Sequence, residues 1–166
     1  MDQPTRPSQE RIRNAGGDTP DTIHHDEAAV QAFLDRFARA ITSGDAATVA
    51  KLWETPAFVL SDQEVFPVAS SQEVEGFFAG AKDQYNEQGI TDTRADVRSF
   101  EWATDRIVVV DVRWPYLDAK GNERGEERST YVLRRDDAGE LRLRVALMRG
   151  ASKRIGHPEQ GRDKLA

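Results

Sequence analysis

The chain has 166 residues, 38% hydrophobic and 31% charged, with a formal net charge of −6 and no cysteine. That length fits one domain with a single core, and the missing thiols exclude disulfides, thiol catalysis and cysteine-based zinc sites. An acidic balance with no dense basic patch excludes nucleic acid and anionic membranes as partners.

Residues 1–23 are rich in Pro, Gly, Arg and Asp without a hydrophobic period, which predicts a flexible N-terminal arm. Residues 152–166 read the same way, as a mildly basic, flexible tail. The folded domain is then residues 24–151. No apolar run has the length of a signal-peptide core or a membrane span, so a soluble, cytoplasmic protein is expected.

Within the domain Ala29, Val30, Phe33, Leu34, Phe37, Ala38 and Ile41 recur at helical steps and predict an amphipathic helix. Asp26 is expected as its N-cap, with Glu27 in the first turn. Gly44 is placed to end the helix and Asp45 to cap the next one, which buries Val49, Leu52 and Trp53 and stops at Pro56. "AFVLSD" reads as a strand. Ser70 and Glu73 form a capping-box pattern ahead of a third helix that presents Val74, Phe77, Phe78, Ala81 and Tyr85 and closes at Gly89.

From Thr93 the period becomes two. Four strands are predicted, Thr93–Ala103, Arg106–Leu117, Glu126–Arg135 and Leu141–Arg149, joined by hairpin turns. Val97 and Phe100 stand an odd number apart, which predicts a bulge near Arg98–Ser99. "DAKGNERGEER" reads as a solvated, charge-rich hairpin loop. Three helices followed by an antiparallel meander make an α+β plan, with helices packed on a curved sheet.

"FARAITSGDAATVAKLWETPAFVLSD" and "DRIVVVDVRWPYLDAKGNERGEERSTYVLRRDDAGELRLRVALMRG" carry a resemblance that spans Ala29 to Gly150. In order and spacing of elements they resemble the nuclear transport factor 2-like (SnoaL-like) superfamily. The resemblance implies a cone-shaped α+β barrel with a deep cavity, and a homodimer joined through the sheet. Outward apolar positions such as Ile107 and Val109 agree with such a contact. Superfamily members include isomerases, cyclases, dehydratases and non-enzymatic association domains, so the site has to decide the function.

An isomerase-like site needs a carboxylate base and oxyanion donors. The resemblance places the family's first-helix tyrosine at Phe37, which has no hydroxyl, the base near Ser61 or Asp62, and the acid donor near Tyr131. Histidine-dependent catalysis is disfavoured, since His24, His25 and His157 all lie at or beyond the domain edges. Asp111 and Arg113 lie opposite the apolar set Val108, Val110, Val112, Trp114 and Tyr116, and read as an outward charge ladder rather than a water-gripping site. "HHDE" (residues 24–27) cannot converge on one ion without further ligands, so no metal and no cofactor are expected.

The candidate pocket lining is Phe37, Trp53, Trp114, Tyr116, Tyr131 and Met148, which suits a small apolar or carbonyl-bearing ligand. For Trp53, simple core packing is the stronger reading. Two functions of different class remain open. One is a small-ligand-binding or association module. The other is an enzyme of isomerase, cyclase or dehydratase type that uses Asp62 as acid-base and Tyr131 as hydrogen-bond donor. The missing hydroxyl at Phe37 and the lack of a histidine inside the domain favour the first.

Overall fold

The computed structural model describes residues 20–149, with side chains from Asp26. Helix α1 (Pro20–Ser43) begins earlier than its apolar period suggests and takes in the last residues of the expected arm. Pro20 suits a first helical position because its ring fixes φ and its missing N–H would have no partner there. Asp26 is therefore inside the helix rather than its N-cap, and its carboxylate instead pairs with Arg135 at 2.9 Å. The rest of the expected arm, the expected tail and His157 lie outside the described residues.

The core face of α1 is the one its spacing predicts, with Val30, Phe33, Leu34, Phe37, Ala38 and Ile41 all buried. Gly44 follows in the left-handed region at φ 77°, where a Cβ would be strained. Asp45 then caps α2 (Ala46–Leu52), accepting from the Thr48 amide at 3.0 Å and the Thr48 hydroxyl at 2.6 Å. The second helix ends at Leu52, ahead of Pro56, and β1 (Trp53–Leu60) starts at Trp53. Pro56 falls inside β1, where the ladder to the last strand is irregular between Trp53 and Phe58, as expected of a residue with no N–H to give.

A short strand with no expected counterpart, β2 (Val65–Val68), folds back antiparallel on β1 through a turn at Ser61–Glu64. Ser70 caps the third helix as expected, accepting from the Glu73 amide at 3.3 Å, while the Glu73 carboxylate reaches back one residue further and accepts from the Ala69 amide at 2.7 Å. The third helical segment divides at Ala79–Gly80 into α3 (Ser71–Phe78) and α4 (Ala81–Glu87).

β3 (Asp92–Thr93), β4 (Asp96–Trp102), β5 (Ile107–Leu117), β6 (Glu123–Arg135) and β7 (Leu141–Arg149) complete the chain. The sheet runs β2-β1-β7-β6-β5, with β3 and β4 both on the far edge of β5. Among the described residues only β1 and β7 pair in parallel; the other pairs are antiparallel. The bulge predicted near Arg98–Ser99 is present, because Val97 faces Val112 while Ser99 faces Asp111. The inner face carries Val108, Val110, Val112 and Trp114 of β5, Tyr131 and Leu133 of β6, and Leu143, Ala146 and Met148 of β7, all buried in one core with the apolar face of α1.

The outer face holds the charge ladder. Arg113 binds Asp96 at 2.9 Å and Glu123 and Glu126 at 2.5 Å each. Asp111 accepts from Ser99 at 3.2 Å. Asp111 and Arg113 therefore lie where alternation puts them, away from the interior.

Candidate functional site

The interior of the cone is built from six elements. α1 contributes Phe37 and Ile41, α3 Phe78, α4 Tyr85, β3 Thr93, and the β5–β6 pair Trp114, Glu127 and Tyr131. The rings pack edge to face. Phe37 lies 5.9 Å from Trp114, 6.1 Å from Tyr131 and 6.0 Å from Phe78, and Trp114 lies 6.2 Å from Tyr131. Edge-to-face packing at these separations adds to the gain from burial alone. It leaves a cavity of about 20 Å³ for water-sized occupants, which is room for about one water molecule and far below an ordinary ligand pocket.

Polar groups are concentrated at this cavity. The Trp114 indole N–H donates to the Tyr131 hydroxyl at 3.1 Å. The Tyr116 hydroxyl donates to the Glu127 carboxylate at 2.7 Å, and the Tyr116 ring lies 5.7 Å from that of Tyr85. Thr93 donates its hydroxyl to the Pro115 carbonyl at 2.8 Å, which ties the short β3 to β5. Tyr85 is only 6% exposed, and its hydroxyl has no hydrogen bond within the described residues. Burial, reinforced by the nearby Glu127 and Tyr131, pushes its phenol far up from the ordinary tyrosine range and keeps it neutral. Ser129, between Glu127 and Tyr131 on the same face, is 1% exposed, and its hydroxyl is likewise unpartnered among the described residues.

Of the residues expected to line a pocket, Phe37, Trp114 and Tyr131 do so. Tyr116 stands behind the lining and acts on it through Glu127. Trp53 is core, 6.3 Å from Phe78, with its indole nitrogen buried and unpartnered among the described residues. Met148 is buried on β7 opposite Ser129 and does not line the cavity. Asp62 is exposed at the tip of the β1–β2 turn, where the Ser61 hydroxyl accepts from the amides of Gln63 and Glu64 at 3.3 and 3.1 Å. The strand that was expected to carry Asp62 toward the interior turns back on itself as a hairpin. Asp62 and Tyr131 are not brought together at the cavity.

The acid at the cavity is instead Glu127. It lies where the charge-rich loop read from composition overlaps the start of the expected strand Glu126–Arg135; β6 starts earlier, at Glu123, and puts Glu127 opposite Trp114. A signal for it does exist. Counting back by twos from Tyr131 gives Ser129 and then Glu127, all on one face. Ile41, Phe78 and Tyr85, expected only as helix core positions, and Thr93, expected only as the start of a strand, also line the cavity without having been assigned to it from sequence.

Comparison with known proteins agrees with this architecture. A Nostoc punctiforme domain of unknown function with a cystatin-like fold superposes with a TM-score of 0.61 at 17% identity, covering 86% of this chain and 88% of its own. A Mycobacterium tuberculosis protein of unknown function gives 0.58 at 14% identity, covering 82% and 78%. An NTF-2-like protein of unknown function from Shewanella oneidensis gives 0.56 at 11% identity, covering 74% and 97%. At these identities the likeness is one of fold. No curated protein matches the chain in sequence. Residues 26–151 match the family described as NTF2-like protein (DUF6841). That match spans α1 from Asp26 on, the other helices and the whole sheet, so the chain belongs to the NTF2-like proteins of family DUF6841.

Proposed function

We propose that this NTF2-like domain acts by association, forming a homodimer through the outer face of its sheet. The observation that carries the reading is a continuous apolar row across four strands. Phe58 of β1 pairs with Val145 of β7, Val145 with Val132 of β6, and Val132 with Val109 of β5. Phe58 is 42% and Val109 37% exposed. An aligned apolar row on a sheet face is costly to leave in water, and a second copy covers it with the same surface.

Charges flank the row at both ends. Val109 faces the exposed Glu101 of β4, and Arg134 and Arg144 gather around Glu54 near the Phe58 end. A two-fold contact centred on Val132 and Val145 brings the acidic end of one protomer toward the basic groups of the other. The tight interior supports the same reading, since aromatic rings occupy the space that a ligand-transforming cone keeps open.

The test is the mass in solution. Sedimentation of the full chain is expected to give twice the 18.6 kDa chain mass. Val132→Lys should give the single-chain mass with an unchanged circular dichroism spectrum. A wild-type protein that stays monomeric at high concentration overturns the proposal, as does a Val132→Lys protein that remains dimeric.

A further inference from the structure

A second concavity lies outside the cone, on the helical side of the molecule. It is a groove of about 720 Å³ between the C-terminal half of α1, the α1–α2 corner and the start of β3. Apart from Ala40, every residue that lines it carries a polar side chain. We propose that this groove binds a small hydroxylated phosphate monoester, with its phosphate held by Arg36 and Arg39 and its hydroxyls by Thr91, Asp92 and Asp45.

Three observations lead there. The first is the state of the arginines. Arg36 and Arg39 stand about one turn apart on α1, close enough to grip a single anion together. Neither has an ion pair or a hydrogen bond among the described residues. Of the other arginines from Asp26 to Arg149, all but Arg98 are held by carboxylates. Two neighbouring guanidinium groups left open at one groove present planar, paired donors, the arrangement that suits phosphate oxygens.

The second observation is the state of the acids. Asp45 accepts from the amide and the hydroxyl of Thr48, and Asp92 accepts from the Thr93 amide at 2.8 Å. Both carboxylates are thus engaged locally, and neither pairs with Arg36 or Arg39. They repel a phosphate, which sets it at the arginine end, while their remaining lone pairs accept from hydroxyl groups. The Thr91 hydroxyl has no hydrogen bond among the described residues and adds a donor. The third observation is form. The Asp45 amide is tied to the Ala40 carbonyl and the Thr91 amide to the Leu117 carbonyl, at 2.9 Å each. Gln31 donates to the Ala95 carbonyl at 3.0 Å and fixes the chain after β3 against α1. The walls are therefore held in place, the volume is that of a small-molecule site, and the polar lining disfavours an apolar body. This groove is separate from the outer face of the sheet and does not rest on dimerisation.

The probe is ribose 5-phosphate, titrated into the ¹⁵N-labelled full chain at pH 7.5, with sodium chloride as the ionic-strength control. Saturable shifts of the Arg36, Arg39, Thr91 and Asp92 amides are expected, with a dissociation constant of roughly 0.3–3 mM for a ligand of this size in an open groove. Ribose alone should give no saturable shift, and inorganic phosphate should bind at least about fivefold more weakly. Arg36→Gln and Arg39→Gln should each weaken binding by about fivefold or more, with an unchanged circular dichroism spectrum, since both side chains are exposed. Arg98→Gln removes an equally unpaired charge outside the groove and should bind as the wild type does. The proposal is overturned if ribose 5-phosphate gives no saturable shift by about 30 mM, far above that range. It is also overturned if ribose or inorganic phosphate binds equally well, if the folded double variant Arg36→Gln/Arg39→Gln keeps wild-type affinity, or if Arg98→Gln loses as much as the groove variants.

Discussion

Trp114 and Tyr131 show how much a single pair of side chains settles. Both sit on inner-face positions of neighbouring strands, both are buried, and the indole N–H of one finds the hydroxyl of the other at 3.1 Å. A buried indole donor that loses its acceptor bears the cost of desolvation without return. Tyr131→Phe keeps the ring contacts with Phe37 and removes only the oxygen. It is expected to destabilise the fold by about 1–3 kcal/mol, read as a lower urea midpoint at an unchanged slope. In a Trp114→Phe background the same change should cost much less, because the donor it orphans is gone. These two residues were legible in the sequence, since strict alternation along β5 and β6 dictates which side chains face inward. Glu127 was harder to see, because a glutamate within "GNERGEER" looks like the rest of a charged loop. Alternation back from Tyr131 points it inward, and the pairing with Trp114 shows that the strand does extend that far.

At the scale of elements, the β5–β6 hairpin explains why charge misled. Its charged residues do not form a solvated loop; they extend β6 back to Glu123 and clasp β4 and β5 through Arg94 and Arg113. The turn itself is held by Asp118. Its carboxylate accepts from the amides of Lys120 and Asn122 at 2.9 Å each and from the Arg124 guanidinium, also at 2.9 Å. The Asn122 backbone bond leads in holding Asp118 down to about 2 from an ordinary value of 3.8. A carboxyl whose folded value is depressed stabilises the fold above its unfolded value, and that contribution is lost as pH falls through the folded one. The stability advantage of the wild type over Asp118→Asn should thus be full above about pH 5 and decline progressively as pH falls toward 2. Paired thermal melts across that range read it directly, and a constant gap between the two proteins would refute the assignment. Elsewhere local chemistry was a good guide. The Asp45 cap, the Ser70 cap and the bulge at Arg98 all form where residue type and spacing put them. β2 escaped notice because its four residues include a proline and their pairing depends on the turn before them.

For the whole molecule, the order of elements was enough to place the fold, because three helical segments ahead of an antiparallel meander have few ways to share one core. What order could not convey is how full that core is. Interior volume depends on ring orientations set by several strands at once, and those rings leave room for about one water. The outer face was legible in part. Val109 was suspect as an exposed apolar residue, but the row it joins emerges only when the registers of β1, β7, β6 and β5 are read together. If that row is covered by a second copy, folding and association are linked, and mass action makes the melting temperature depend on protein concentration. Wild-type protein melted across about two decades of concentration should show a rising midpoint, since each tenfold step favours the folded dimer by about 1.4 kcal/mol per dimer. Val132→Lys, with a charge at the centre of the row, should melt at one temperature throughout. Tyr131→Phe should melt lower than the wild type and keep the wild-type concentration dependence, because its change lies inside the cone. A midpoint independent of concentration in the wild type would separate the row from association and leave it as exposed apolar surface alone.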